Sequence, residues 1–170
     1  MEAPAEVDIV PLESVSGMHI RLARADDDEF ILGLIDRFVD FELPSWRKRS
    51  ECAKGIRGDV ARHLREQPAG THIFVAEDED AALLGFLHLQ TTADYFTHAQ
   101  NCHIADLAVA PAHEGRGVGS GLLEFAEEWA RRHRCRHLTL AVFPGNERAR
   151  ALYERHGYGV DVLRMAKLVR

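Results

Sequence analysis

Apolar and polar residues alternate over positions 18–24, and that period predicts a first strand. The period then changes. Phe30, Ile31, Leu34, Ile35 and Phe38 recur at helical spacing behind Asp26, Asp27 and Asp28, which supply an N-cap and first-turn acids. Pro44 interrupts this helix, and a second helical stretch is expected over about residues 46–66, in one piece or, because Gly55 and Gly58 weaken it, in two. Two apolar runs, 71–77 and 83–90, flank the acidic turn Asp78-Glu79-Asp80 and read as a hairpin. Residues 91–101 read as a loop or strand end, and 102–109 as a strand closed by Pro111. A helix over 118–133 buries Val118, Leu122, Ala126, Trp129 and Ala130, with Glu127–Arg131 and Glu128–Arg132 pairs on its outer side. A strand over 137–143 follows, then a short helix over 146–156 stopped by Gly157, then a last strand over 160–169.

The predicted order is β-α-α-β-β-β-α-β-α-β. The β-α-β unit spanning 103–143 calls for parallel strands joined by a right-handed crossover, whereas the earlier hairpins are antiparallel. The expected class is therefore α/β, with a mixed, mostly antiparallel central sheet flanked by helices. At 170 residues one domain is expected. Residues 1–16, with Pro4, Pro11 and scattered acids, read as a flexible tail before a domain over 17–170.

Composition narrows the partners. A formal net charge of −6 argues against nucleic acid and suits a cationic amine. No apolar stretch is long enough to span a bilayer. The acidic N-terminus lacks the basic region of a signal peptide, and Cys52, Cys102 and Cys135 form no CxxC pair. Reduced thiols and a cytoplasmic location are expected. HExxH is absent, so no metal is expected.

The chemistry concentrates in residues 103–123, a strand running into a glycine-rich turn and the start of a helix. Unpaired amides at a helix N-terminus, approached without Cβ interference, suit a pyrophosphate. A P-loop is excluded, because Gly119 is followed by Ser120-Gly121 and not by Lys and Ser or Thr. A dinucleotide fingerprint fails as well: the sixth place counted from Gly115 is Ser120, and from Gly117 it is Leu122.

Glu114-Gly115-Arg116-Gly117-Val118-Gly119 resembles motif A of the GNAT superfamily of acyl-CoA N-acyltransferases, Gln/Arg-x-x-Gly-x-Gly/Ala. Asn146 through Tyr158, with Ala151-Leu152-Tyr153 and Gly157-Tyr158, resembles motif B of the same superfamily, in the right order after motif A. The match departs at Glu114, which holds the Gln/Arg place. A carboxylate beside a pyrophosphate is unfavourable unless its side chain turns away, and Arg116 is expected to supply local compensation.

The resemblance implies the GNAT fold and transfer of an acetyl group from acetyl-CoA, as co-substrate, to a primary amine by direct attack in a ternary complex. It implies that Leu107, Ala108 and Val109 contact pantetheine where their strand splays from the next. Gly115, Arg116, Gly117, Val118, Gly119 and Ser120 would hold the pyrophosphate, and Asn146 would contact the pantetheine arm from the far side. Tyr153 is the candidate general acid, since a phenol stays protonated at pH values where a thiol ionises. His103 is the first candidate base and Asp106 the second; a relay of ordered waters would need neither. The acceptor is a small-molecule amine or a peptide, and a homodimer is an option the sequence leaves open. A protein N-terminal or lysine acetyltransferase and a non-catalytic CoA-binding sensor on the same fold are the alternatives.

Overall fold

In the computed structural model, which describes residues 17–169, the alternating segment after Met18 forms β1 (His19–Leu22). The expected first helix is divided. A 3-10 turn, Ala25–Asp27, leads into α1 (Asp28–Gly33), and a second 3-10 turn, Ile35–Val39, follows. The apolar stripe survives the division, since Ile31, Leu34 and Ile35 are buried. The second helix, α2 (Arg49–Glu66), forms as expected and is continuous through both glycines. Gly55 and Gly58 lie on its exposed side, where glycine weakens a helix without disturbing packing.

Three antiparallel strands follow: β2 (Thr71–Glu77), β3 (Leu83–Ala93) and β4 (Gln100–Val109). β3 and β4 run further into residues 91–101 than their apolar pattern indicates. Asp94 closes their turn, its Oδ1 accepting from the N–H groups of Phe96 and Thr97 and from the Thr97 hydroxyl. A 3-10 turn, Pro111–His113, then precedes α3 (Val118–Arg132), β5 (Leu138–Leu140) and α4 (Glu147–Arg155). Asn146 caps α4 by accepting from the Ala149 N–H at 3.2 Å.

The sheet order is β1-β2-β3-β4-β5, antiparallel except for the parallel β4–β5 pair. Both faces are covered, which is why Ile73-Phe74-Val75-Ala76 is apolar without alternation. Ile73, Val75 and Phe86 pack with Ile31, Ile35 and Val60 beneath α1 and α2. Phe74, Leu87 and Leu89 pack with Leu122, Leu123, Phe125 and Ala126 of α3.

Two departures matter for the site. His88 pairs with Asp106 but Leu89 pairs with Ile104, so Ala105 is an extra residue bulging from β4. β4–β5 pairing ends at Ile104–Leu140, which leaves β5 shorter than expected. The expected strand over 160–169 does not form: Val160, Val162, Leu163, Met165, Leu168 and Val169 are all exposed. An apolar-rich segment can favour a strand, but a strand also needs a neighbour to pair with. The expected tail, residues 1–16, lies outside the described residues. Among the described residues, no helix is long and apolar enough to cross a membrane.

Candidate active site

Beyond the Ala105 bulge, Leu107, Ala108 and Val109 pair with Leu87, Phe86 and Gly85 of β3 but with no described strand on the other side. That unpaired edge opens into a cavity of about 440 Å³. The turn from Glu114 to Ser120, residues of α4 and the segment after β5 form its other walls, and Arg37, Phe38 and Phe41 close the near side.

The turn is built by glycine. Gly117 has φ +81°, a left-handed conformation that disfavours a side chain, and it stands at the N-cap of α3 without a capping group. The first-turn amides of α3 therefore lack intrahelical acceptors at the cavity wall. Gly119 serves contact: a Cβ there would meet Leu152 Cδ2 at 3.1 Å, so a larger residue would force the Leu152 side chain of α4 to shift.

Most of the anticipated residues converge. Asp106, Leu107, Ala108, Val109, Gly115, Gly117, Val118, Gly119, Ser120, Asn146 and Tyr153 all line the cavity. His103 and Arg116 are not among the lining residues. His103 sits before the bulge, its Nδ1 2.9 Å from the Thr139 hydroxyl of β5. Burial holds its pKa below the ordinary histidine range, against the opposing pull of Asp106. Arg116 is exposed, and the compensation expected of it comes from elsewhere. Glu114 pairs with Arg37, from the helical layer, and with Arg148 of α4, whose Nη1 is 2.5 Å from Oε2. Both arginines reach the carboxylate from distant points in the chain and line the cavity with it.

Tyr153 is half-buried, and its phenol is pushed up to about 12 by burial and, secondarily, by the negative charge of Asp106. It stays protonated through the physiological range. Behind Asp106 lies a residue that sequence reasoning passed over. His88 is fully buried on β3, with Nδ1 2.7 Å from Asp106 Oδ2. The signal was available: His88 is the lone ionisable residue in Leu83-Leu-Gly-Phe-Leu-His-Leu89, on the same face as Phe86.

The family model for the acetyltransferase (GNAT) family matches residues 35–158. An uncharacterized N-acetyltransferase, YhfO, of Bacillus subtilis (strain 168) is 27% identical over 144 residues, covering 85% of this chain and 91% of the relative. A streptothricin acetyltransferase of Streptomyces lavendulae is 35% identical over 92 residues, covering 54% of this chain and 47% of that relative. Among solved structures, a putative acetyl transferase from Pyrococcus furiosus superposes with a TM-score of 0.70 at 27% identity, covering 89% of this chain and 99% of that one. The splayed β4 edge, the amide-bearing turn at α3 and the family match over most of the chain agree: this protein belongs to the GNAT acetyltransferase family.

Proposed function

We propose that the protein transfers an acetyl group from acetyl-CoA to a primary amine by direct attack within a ternary complex. One observation carries the reading: the unpaired edge of Leu107–Val109 runs into the free amides of α3 within the cavity that also holds Asp106 and Tyr153. An extended pantetheine arm fits an edge that presents backbone donors and acceptors, as an added strand would. A diphosphate fits the amides of residues 117–120 at the N-terminus of α3. Asn146 lies on the opposite wall.

The coenzyme, when bound, supplies a thioester carbonyl activated for attack. Asp106 takes one proton from the incoming ammonium group, freeing the lone pair that forms the C–N bond. Backbone N–H groups at the β4 splay stabilise the oxyanion that develops on the carbonyl oxygen. Tyr153 donates a proton to the departing sulfur as the C–S bond breaks, and the second amine proton restores its hydroxyl. Asp106 is preferred to His103 as the base because it lines the cavity. A small acceptor is favoured by the streptothricin acetyltransferase relative, whose name specifies a small-molecule substrate, and a cationic one by the net charge of −6.

The test joins CoA titration by calorimetry to acetyl-CoA consumption across simple amines, amino acids, aminoglycosides, polyamines and peptides. CoA binding with turnover of at least one amine is expected. Tight CoA binding with no turnover on any acceptor would instead indicate a sensor, and no measurable CoA binding would overturn the reading.

A further inference from the structure

Asp106 and His88 face each other directly across β4 and β3, at the last register pair before the Ala105 bulge. Their separation of 2.7 Å requires a proton between Nδ1 and Oδ2, because two lone pairs repel at that range. His88 Nε2 is buried and has no hydrogen-bond partner among the described residues. The ring of His63 stands edge-on at 4.7 Å between centroids, with its own Nδ1 2.8 Å from the Asp59 carbonyl oxygen of α2. A proton on Nε2 would be a buried donor without an acceptor, which costs more than a bare lone pair there. The arrangement therefore selects the His88 tautomer that carries its proton on Nδ1.

We infer that His88 is a positioning residue for the acetyl transfer: its Nδ1–H donates to Asp106 Oδ2 and aims the carboxylate at the amine. The inference rests on Asp106 being the base, as proposed above. Three features support it. His88 is wholly enclosed and shielded by α2 through His63, so water cannot substitute for the donor. Among the described residues Asp106 has no other side-chain hydrogen-bond partner, so its rotamer depends on this contact. The imidazole supplies one N–H to one oxygen, which fixes Oδ2 and leaves Oδ1 without a side-chain partner on a residue that lines the cavity. A buried imidazole with one unpaired nitrogen is a poor way to stabilise a sheet, whereas one held beside a cavity carboxylate has a use in chemistry.

The experiment compares Asp106→Asn, His88→Leu, His88→Asn and the double variant Asp106→Asn/His88→Leu. An asparagine amide can place its N–H near the site of imidazole Nδ1–H, which leucine cannot. With the most rapidly acetylated amine of the panel, His88→Leu is expected to lower kcat about 30-fold with CoA affinity unchanged, within the range of a misplaced general base. His88→Asn should recover most of that loss, and the double variant should be no slower than Asp106→Asn alone. Independently of any acceptor, ¹⁵N NMR of histidine-labelled protein should show His88 as the Nδ1–H tautomer, with that signal shifted in Asp106→Asn. Full activity in folded His88→Leu beside an inactive Asp106→Asn would overturn the inference alone. So would an Nε2–H tautomer. Full activity in Asp106→Asn would overturn both the inference and the choice of base on which it rests.

Discussion

Two carboxylates of this protein are shielded from solvent in opposite ways. Asp27, beside β1, accepts from Arg21 Nη1 at 2.7 Å and Nη2 at 3.1 Å, and from the Arg24 N–H at 2.7 Å. Arg21 is anchored in turn by Glu77 of β2 through Nε at 2.9 Å. The Arg21 hydrogen bond holds the Asp27 carboxyl below the usual carboxylate range, although burial pulls the other way. Asp106 has one imidazole donor and a cavity in front of it. Saturation by a cation leaves Asp27 with no basicity to offer and ties β1, β2 and the first turn together. Partial satisfaction leaves Asp106 with an oxygen free to meet a ligand in the cavity. Burial alone does not distinguish a structural acid from a chemical one; the number and charge of its donors do.

The largest expected effect falls on the structural side. Asp27→Asn should cost about 3 kcal/mol of stability, because it leaves Arg21 as a buried charge with one partner fewer. Denaturant unfolding checks it, and CoA affinity should be unchanged. The pH dependence follows from the sign of the shift. A carboxyl with a depressed folded value contributes fully above its unfolded value, near 3.9, and loses that contribution as pH falls through the lower folded value. Below about pH 4 the wild-type protein should therefore lose stability more steeply than Asp27→Asn, with parallel behaviour above it. Equal slopes would mean that the Arg21–Asp27 pair is not what links these elements.

Tyr153→Phe sharpens the chemical side. It keeps the ring packed beside Tyr158, 5.8 Å away between centroids, and removes only the hydroxyl. A fall in kcat of about 50-fold with unchanged unfolding is expected, in keeping with loss of a general acid. Because the phenol is raised to about 12, wild-type activity should show no loss from Tyr153 ionisation at pH 9 or 10. An alkaline decline there that disappears in Tyr153→Phe would contradict the burial argument.

What the chain discloses in advance divides along the same line. The Gly117 turn and the α3 stripe are local, and their spacing carries them. The strand expected over 160–169 does not form, because an apolar pattern supplies no pairing partner. Residues 137–143 were read too long because the Ala105 bulge, which parts β4 from β5, leaves no mark in β5 itself. Asp106 was legible as a candidate, but its partner was not. His88 meets it only through a register set by the whole sheet. The contacts of Glu114 with Arg37 and Arg148 join three separate segments, so no local pattern encodes them.

Glu114 supplies the smallest and most specific prediction, since it falls between the two cases. It is paired with two guanidinium groups as Asp27 is with one, yet it lines the cavity as Asp106 does. Its side chain is 24% exposed and that of Arg148 is 63% exposed, so the pairing is partly screened by water and can open. A diphosphate entering between α3 and α4 presents the same arginines with a competing anion. Binding must then share or displace the Glu114 contacts, and that exchange subtracts from affinity. Glu114→Gln removes the competitor and keeps the shape. CoA should bind about 3-fold to 10-fold more tightly, an effect of order 1 kcal/mol, and more steeply with falling salt, because the freed arginines meet the phosphates directly. Arg148→Ala in the Glu114→Gln background should abolish the gain. If Glu114→Gln weakens CoA binding instead, the ion pairs hold the turn in its binding shape, and Glu114 belongs with Asp27 as a structural acid.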